Sequence, residues 1–139
     1  MKIMAVDLGK ARTGLAICDK EELLASPVSV LPSYNREKLL NQIVSAAQEH
    51  GAELLVVGLP LNMDGSSGES AQNALAFAEE LRQATGLPVE MQDERGTTVS
   101  AHNYLNVTDT RGKKRKAVVD SVAATIILQD YLDYRRNHR

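Results

Sequence analysis

Residues 2–31 read KIMAVDLGKARTGLAICDKEELLASPVSVL, and their punctuation decides the fold. Three short apolar runs, Lys2 to Leu8, Thr13 to Asp19 and Pro27 to Leu31, are broken by Gly, Pro or charged residues. Runs of this length between turn residues predict three consecutive strands joined as a meander. From Arg36 the period lengthens: Leu39, Leu40, Ile43, Val44 and Ala47 recur at helical spacing, with Asn35 or Ser33 as the cap and Gly51 beyond the end. Leu54 to Val57 is apolar without interruption, the pattern of a central strand buried on both faces. A loop rich in Asn, Asp, Gly and Ser follows, from Pro60 to Gly68. Ser66 with Glu69 forms a capping-box pattern, and Ala71, Ala74, Leu75, Ala78 and Leu81 give the next helix its stripe. Val89 to Gln92 is a fifth strand. A short helix over about 98–105, a polar and basic loop, and a last helix over about 117–135 complete the order β, β, β, α, β, α, β, α, α. That order predicts an α/β fold: a mixed five-stranded sheet, three antiparallel meander strands plus two parallel ones, with helices on both faces.

The chain has 139 residues, 43% apolar and 24% charged, which fits a single globular domain over 1–139. No apolar run reaches the ~18 residues of a membrane span, and the N-terminal apolar stretch meets Asp7 too soon for a signal peptide, so a cytoplasmic protein with no membrane partner is expected. Cys18 is the only cysteine and none of the three histidines is spaced as a zinc pair, which excludes a disulfide framework and a cysteine-based zinc site. A P-loop and a G-x-S-x-G elbow are both missing. Charge is unevenly spread. Residues 1–110 hold eight basic side chains against fifteen acidic, while 111–139 hold eight against three. An acidic body with a basic end points to a polyanionic partner.

Three acids stand where they could act together. Asp7 closes the first apolar run beside Gly9 and Gly14, which leave room for a phosphate or metal near the backbone; its alternative role is a turn aspartate. Glu94 and Asp93 end the fifth strand, at the same sheet edge as Asp7 if the two strands are parallel. Alternation favours Glu94, and Asp93 remains its rival, with pairing to Arg95 or capping the next helix as other roles. Asp120 shares a helical stripe with Ala123, Ala124, Ile127 and Tyr131, so a carboxylate begins an apolar face; stabilising the helix N-terminus is its alternative role. Converging carboxylates make a hard oxygen site suited to Mg²⁺ or Mn²⁺. The run from Arg111 to Lys116 has five basic residues in six positions just before Asp120, and no aromatic, which suits phosphate contacts without base reading.

DLGKARTGLAICD at 7–19, VVGLPLNMDGS at 56–66, DERGTT at 93–98 and KRKAVVDSVAATIILQDYL at 114–132 together resemble the YqgF/RuvX family of the ribonuclease H-like superfamily. Its members are bacterial proteins described as Holliday junction resolvases and as nucleases maturing the 5′ end of pre-16S ribosomal RNA. The resemblance implies a ribonuclease H-like fold and a nuclease dependent on Mg²⁺ or Mn²⁺, with Asp7, Glu94 and Asp120 as catalytic ligands and Asp93 as the alternative to Glu94. It implies substrate contacts at Lys10, Arg12, Asn62, Asp64, Arg95, Lys113, Lys114, Arg115 and Lys116. The implied partner is nucleic acid, as precursor rRNA or branched DNA, with the ribosome as a further partner and a monomer or homodimer as the acting form. Two rivals have other signatures. The D-x-G-x-x-x-x-G string also resembles the phosphate hairpin of actin-like and sugar-kinase ATPases, which need two lobes where this chain has one. A binding module without catalysis would gain nothing from keeping three acids.

Overall fold

The computed structural model describes residues 1–60, 68–93 and 112–137, the last stretch with side chains from Val122 onward. Strands β1 (Ile3–Leu8), β2 (Arg12–Cys18) and β3 (Ala25–Pro32) are followed by helix α1 (Arg36–His50) and strand β4 (Leu54–Leu59). Helix α2 (Glu69–Thr85), strand β5 (Val89–Asp93) and the long helix α3 (Gly112–Asn137) complete the described chain. The strands form one sheet in the order β3-β2-β1-β4-β5. β1 pairs antiparallel with β2 and parallel with β4, and β4 pairs parallel with β5, as the meander and alternation predict. The short helix expected over 98–105 lies outside the described residues.

Alternation along the strands sorts the core into two layers. Ile3 and Ala5 of β1, Leu54 and Val56 of β4, and Ala16 and Cys18 of β2 pack under Ala124, Ile127, Leu128, Tyr131 and Leu132 of α3. Met4, Val6, Leu55 and Val57 point the other way, against Leu39 and Ile43 of α1 and Ala74, Phe77 and Leu81 of α2. β1 is thus buried on both faces, and the helices cover opposite faces as expected. The outer strand β3 carries Pro27 and Pro32 and pairs with β2 through an irregularity at Leu15/Ala16. Among the described residues, no helix is long and apolar enough to cross a membrane.

Three details correct the sequence reading. The cap of α2 is Gly68, with no side-chain cap bond, so Glu69 is the first residue of the helix and not the third-position partner that a capping box requires. Phe77, not Leu75, completes the buried stripe of α2; Leu75 is 42% exposed. The segment Lys113 to Lys116 belongs to the first turns of α3 and is not a loop. Lys and Arg are good helix formers, and α3 is long enough to carry them past the adverse dipole at its start. For α1 the cap is Asn35, whose side chain accepts from the Lys38 amide, and Gly51 ends it at φ 69.

The direction of α3 is fixed at its far end. Arg135 Nε donates to Glu22 Oε1 at 2.7 Å, while the Met1 amine lies 3.1 Å from Glu22 Oε2. Gln129 adds a second tie, accepting from the Ala25 amide at 3.1 Å and donating to the Leu23 carbonyl at 3.2 Å. The C-terminal end of α3 therefore sits over the start of β1, and the helix runs antiparallel to that strand. Glu22 is 8% exposed and adopts φ 58, a backbone conformation that costs a non-glycine residue on the order of 1 kcal/mol or more. Burial raises its carboxyl, but the hydrogen bonds and charges of Arg135 and the amine outweigh this and hold it at about 2, below the ordinary 4.5. A depressed carboxylate stabilises the fold fully above pH 4.5, and that contribution is lost as pH falls towards 2. Glu22→Gln should cost about 1–3 kcal/mol at pH 7. In urea unfolding, the gap between parent and variant should narrow as the pH is taken down through that window.

Candidate active site

The carboxyl-terminal ends of β1, β4 and β5 share one edge of the sheet because the three strands are parallel. Asp7 is at this edge, half-buried. Since Ile3 and Ala5 face α3, alternation turns Asp7 to that same face. Its neighbours in the sheet are small. Gly14 of β2 is its register partner, and Gly58 of β4 follows one step after the Val6–Val57 pair. Gly58 is in turn paired with Gln92 of β5. A carboxylate flanked on both strands by glycine has open space over the sheet where other side chains would crowd it. The reading of the sequence singled out Gly14 but missed Gly58 and Gln92; the signal was the glycine that ends the Leu-Leu-Val-Val run.

Asp93 is not on this face. It pairs with Leu59, and Val89 and Met91, which share its side of β5, pack against the α1 and α2 layer. Glu90 and Gln92 take the opposite side, that of Asp7. Glu94 and Arg95, like Asn62 and Asp64, lie outside the described residues. For Asp120 and for Lys113, Lys114, Arg115 and Lys116, only the backbone in α3 is described. The helical rise from Arg135 back to Asp120 is about 22 Å. The strand rise from Met1 to Asp7 is about 20 Å. With Arg135 and Met1 joined through Glu22, these nearly equal rises bring the backbone of residue 120 to about the level of Asp7. Among the described residues no three His, Cys, Asp or Glu side chains are grouped so that they could hold a metal ion.

The turn from β1 to β2 presents Lys10, and Arg12 begins β2 opposite Pro32. Thr13, wholly buried, shares a 2.8 Å hydrogen bond between its hydroxyl and that of Ser33. The Ser33 amide donates to the Ala11 carbonyl at 3.0 Å, so the β3–α1 loop is tied to the turn. Leu8, Gly9, Lys10, Ser33, Arg36 and Ser70 help line a cleft of about 220 Å³ beside this turn. Arg36 is held within it by Glu80, to which its Nε donates at 2.9 Å, and lies 5.2 Å over the Phe77 ring.

A family model described as RuvX, Holliday junction resolvase, matches residues 1–134. A protein of Anaeromyxobacter sp. (strain Fw109-5) named "Putative pre-16S rRNA nuclease" is 46% identical over 135 residues, covering 97% of this chain and 98% of its own. A protein of the same name from Chloroflexus aurantiacus is 44% identical over 136 residues, covering 98% of this chain and 89% of its own. Among solved structures, Thermus thermophilus RuvC superposes with a TM-score of 0.59 at 13% identity, covering 99% of this chain and 97% of that one. The fowlpox virus resolvase bound to Holliday junction DNA gives 0.59 at 12%, covering 97% and 99%. At such identities these two establish the fold alone: that of the RuvC-like resolvases, ribonuclease H-like as expected.

The turn beside Asp7 tolerates no side chain at residue 9: a Cβ on Gly9 would lie 2.3 Å from the Arg12 carbonyl oxygen. Gly9→Ala should therefore shift the turn and cost about 1–3 kcal/mol in a denaturant titration.

Proposed function

The chain belongs to the RuvX family, and on that premise we propose that it is a divalent-metal-dependent nuclease that hydrolyses phosphodiesters in the 5′ region of precursor 16S rRNA. The observation that carries this reading is the placement of Asp7 between Gly14 and Gly58, facing α3 at the edge where the parallel strands end. The second ligand is Glu94, one residue past Asp93. Asp93 points with Met91 to the wrong side of the sheet, which supports its neighbour. The third is Asp120, a choice supported by the matching rises along α3 and β1 from the clamp at their far ends.

This donor set is chemically right for Mg²⁺ or Mn²⁺. Asp7 offers a hard oxygen in a half-buried site cleared by two glycines, and Glu94 and Asp120 would add two more carboxylates. A divalent cation held there supplies charge neutralisation at the scissile phosphate and acidifies water. The chain's own part is placement. Asp7 is fixed by the central strand, and the β1–β2 turn brings Lys10 and Arg12 to the same edge to hold the substrate backbone. Lys113, Lys114, Arg115 and Lys116, on the opening turns of α3, contribute phosphate contacts whose charge also offsets the acidic body. Asn62, Asp64 and Arg95 complete the proposed substrate contacts. A monomer suffices for cutting one RNA strand in the cytoplasm or on the ribosome.

Family membership gives the junction-resolving reading its own support, since the family description names that activity. It calls for two symmetric active sites and hence a homodimer. Side-by-side cleavage of a precursor rRNA 5′ end and a four-way DNA junction in Mg²⁺ separates the two.

Asp7→Asn should lower cleavage at least about 100-fold while leaving substrate affinity within a few-fold. Glu94→Gln should match that loss, and Asp93→Asn should cut like the parent; full activity in Glu94→Gln would overturn the assignment. Replacing Lys113, Lys114, Arg115 and Lys116 by alanine should flatten the salt dependence of binding by about one unit of slope for each lysine or arginine that holds a phosphate.

A further inference from the structure

We propose that Tyr34, with Lys38 and Lys10 on the adjoining helix and turn, forms a platform on which an unpaired base of the substrate strand stacks, at the flank of the site formed by the β1–β2 turn. The inference rests on the nuclease reading and specifies the substrate as a strand that is single-stranded beside the cut. Tyr34 is 82% exposed, the most exposed large apolar or aromatic side chain among the described residues. Its backbone, in contrast, is pinned on both sides. Ser33 bonds the Ala11 carbonyl at 3.0 Å and the Thr13 hydroxyl at 2.8 Å. Asn35 caps α1, accepting from the Lys38 amide at 3.0 Å. A ring displayed from a fixed backbone loses little freedom on stacking.

Folding does not account for that exposure. Tyr34 directly precedes the cap of α1, where an apolar residue ordinarily folds back on the fourth helical residue, here Leu39. Leu39 is already 2% exposed within the core, and the tyrosine stands clear of it. Lysines stand on the turn and on the helix that adjoin it. Lys10 projects from the turn to which Ser33 is tied, while Arg12, opposite Pro32, shares the Asp7 face of β2. Lys38 lines a small hollow with Tyr34, Pro32 and Gln42. Against these stand Glu37 on the first turn of α1 and Glu80, which occupies Arg36. Lysines on both adjoining segments and an exposed ring match the combination used to hold single strands: cations for the backbone, an aromatic face for the base.

The platform is in reach of the cut. From β1 to β3 is two strand spacings, and Tyr34 is about four residues beyond the level of Asp7 on the α1 side, so the path from Asp7 rounds the sheet edge over on the order of 16 Å. Stacked nucleotides at about 3.4 Å each would span that in four to five steps. Any base presents a face to the ring, so the contact would be tolerant of sequence.

The test uses the full chain and a single strand of about 12 nucleotides, with binding followed by anisotropy and 2-aminopurine walked along the strand to report stacking. Tyr34→Ala should weaken the single strand about 10-fold, abolish quenching at one position of the walk and leave a blunt duplex of equal length bound as before. Tyr34→Phe, which keeps the ring, should bind and quench like the parent. Unchanged strand affinity in Tyr34→Ala would overturn the platform, as would an equal loss in Tyr34→Phe or an equal loss on the duplex. These readouts need no cleavage. Failure of the nuclease reading would appear separately, as no divalent-dependent cutting by the parent.

Discussion

The packing of α3 across the face of β1 is the constraint on which the site depends. β1 is the middle strand, buried on both sides, and its α3-facing side chains run Ile3, Ala5, Asp7: two that the helix covers, then one acid where the strand reaches the edge. Sliding the helix by one turn would move residue 120 by about 5.4 Å relative to Asp7. Apolar contacts resist such a slide poorly, because Leu and Ile can repack against similar neighbours. Directional bonds do better. Glu22 with Arg135 and the Met1 amine, and Gln129 with the backbone around Leu23 and Ala25, index the helix on the sheet about 20 Å from the edge they regulate.

Much of the fold was legible because local signals agreed with the tertiary arrangement. The Leu-Leu-Val-Val run of β4 divides between the two core layers, which is why it reads as apolar throughout. Of the two caps the sequence offers for α1, Asn35 and Ser33, Asn35 is the one that forms. The errors share a cause: local patterns outvoted by long-range packing. Leu75 and Phe77 are near neighbours on α2, and only the position of the sheet beneath decides which one is buried. A dense basic run resembles a solvated loop, yet the residues concerned are good helix formers and follow α3 outward from its packed stripe.

The site divides along the same line. That Asp7 ends a strand, and faces the side opposite Val6, follows from alternation alone. That Gly58 lies beside it does not, because β1 and β4 are paired across some fifty residues of chain and their register is a tertiary fact. The orientation of Asp93 belongs to both levels. Alternation puts it with Val89 and Met91, and their burial against α1 and α2 says which side of the sheet that is.

The layer between sheet and α3 also joins the first strand of the chain to its last helix. Until that helix has been synthesised, Ile3, Ala5, Leu54 and Val56 have no cover on that face, and the sheet is a half-built domain with apolar surface open to solvent. At about 5–20 residues per second, the interval from β5 to the end of α3 lasts seconds. The nascent chain must pass through that interval without a finished core. The arrangement therefore makes completion of the core and the covering of the Asp7 face of the sheet a single late event, so that a truncated or unfinished chain lacks both together.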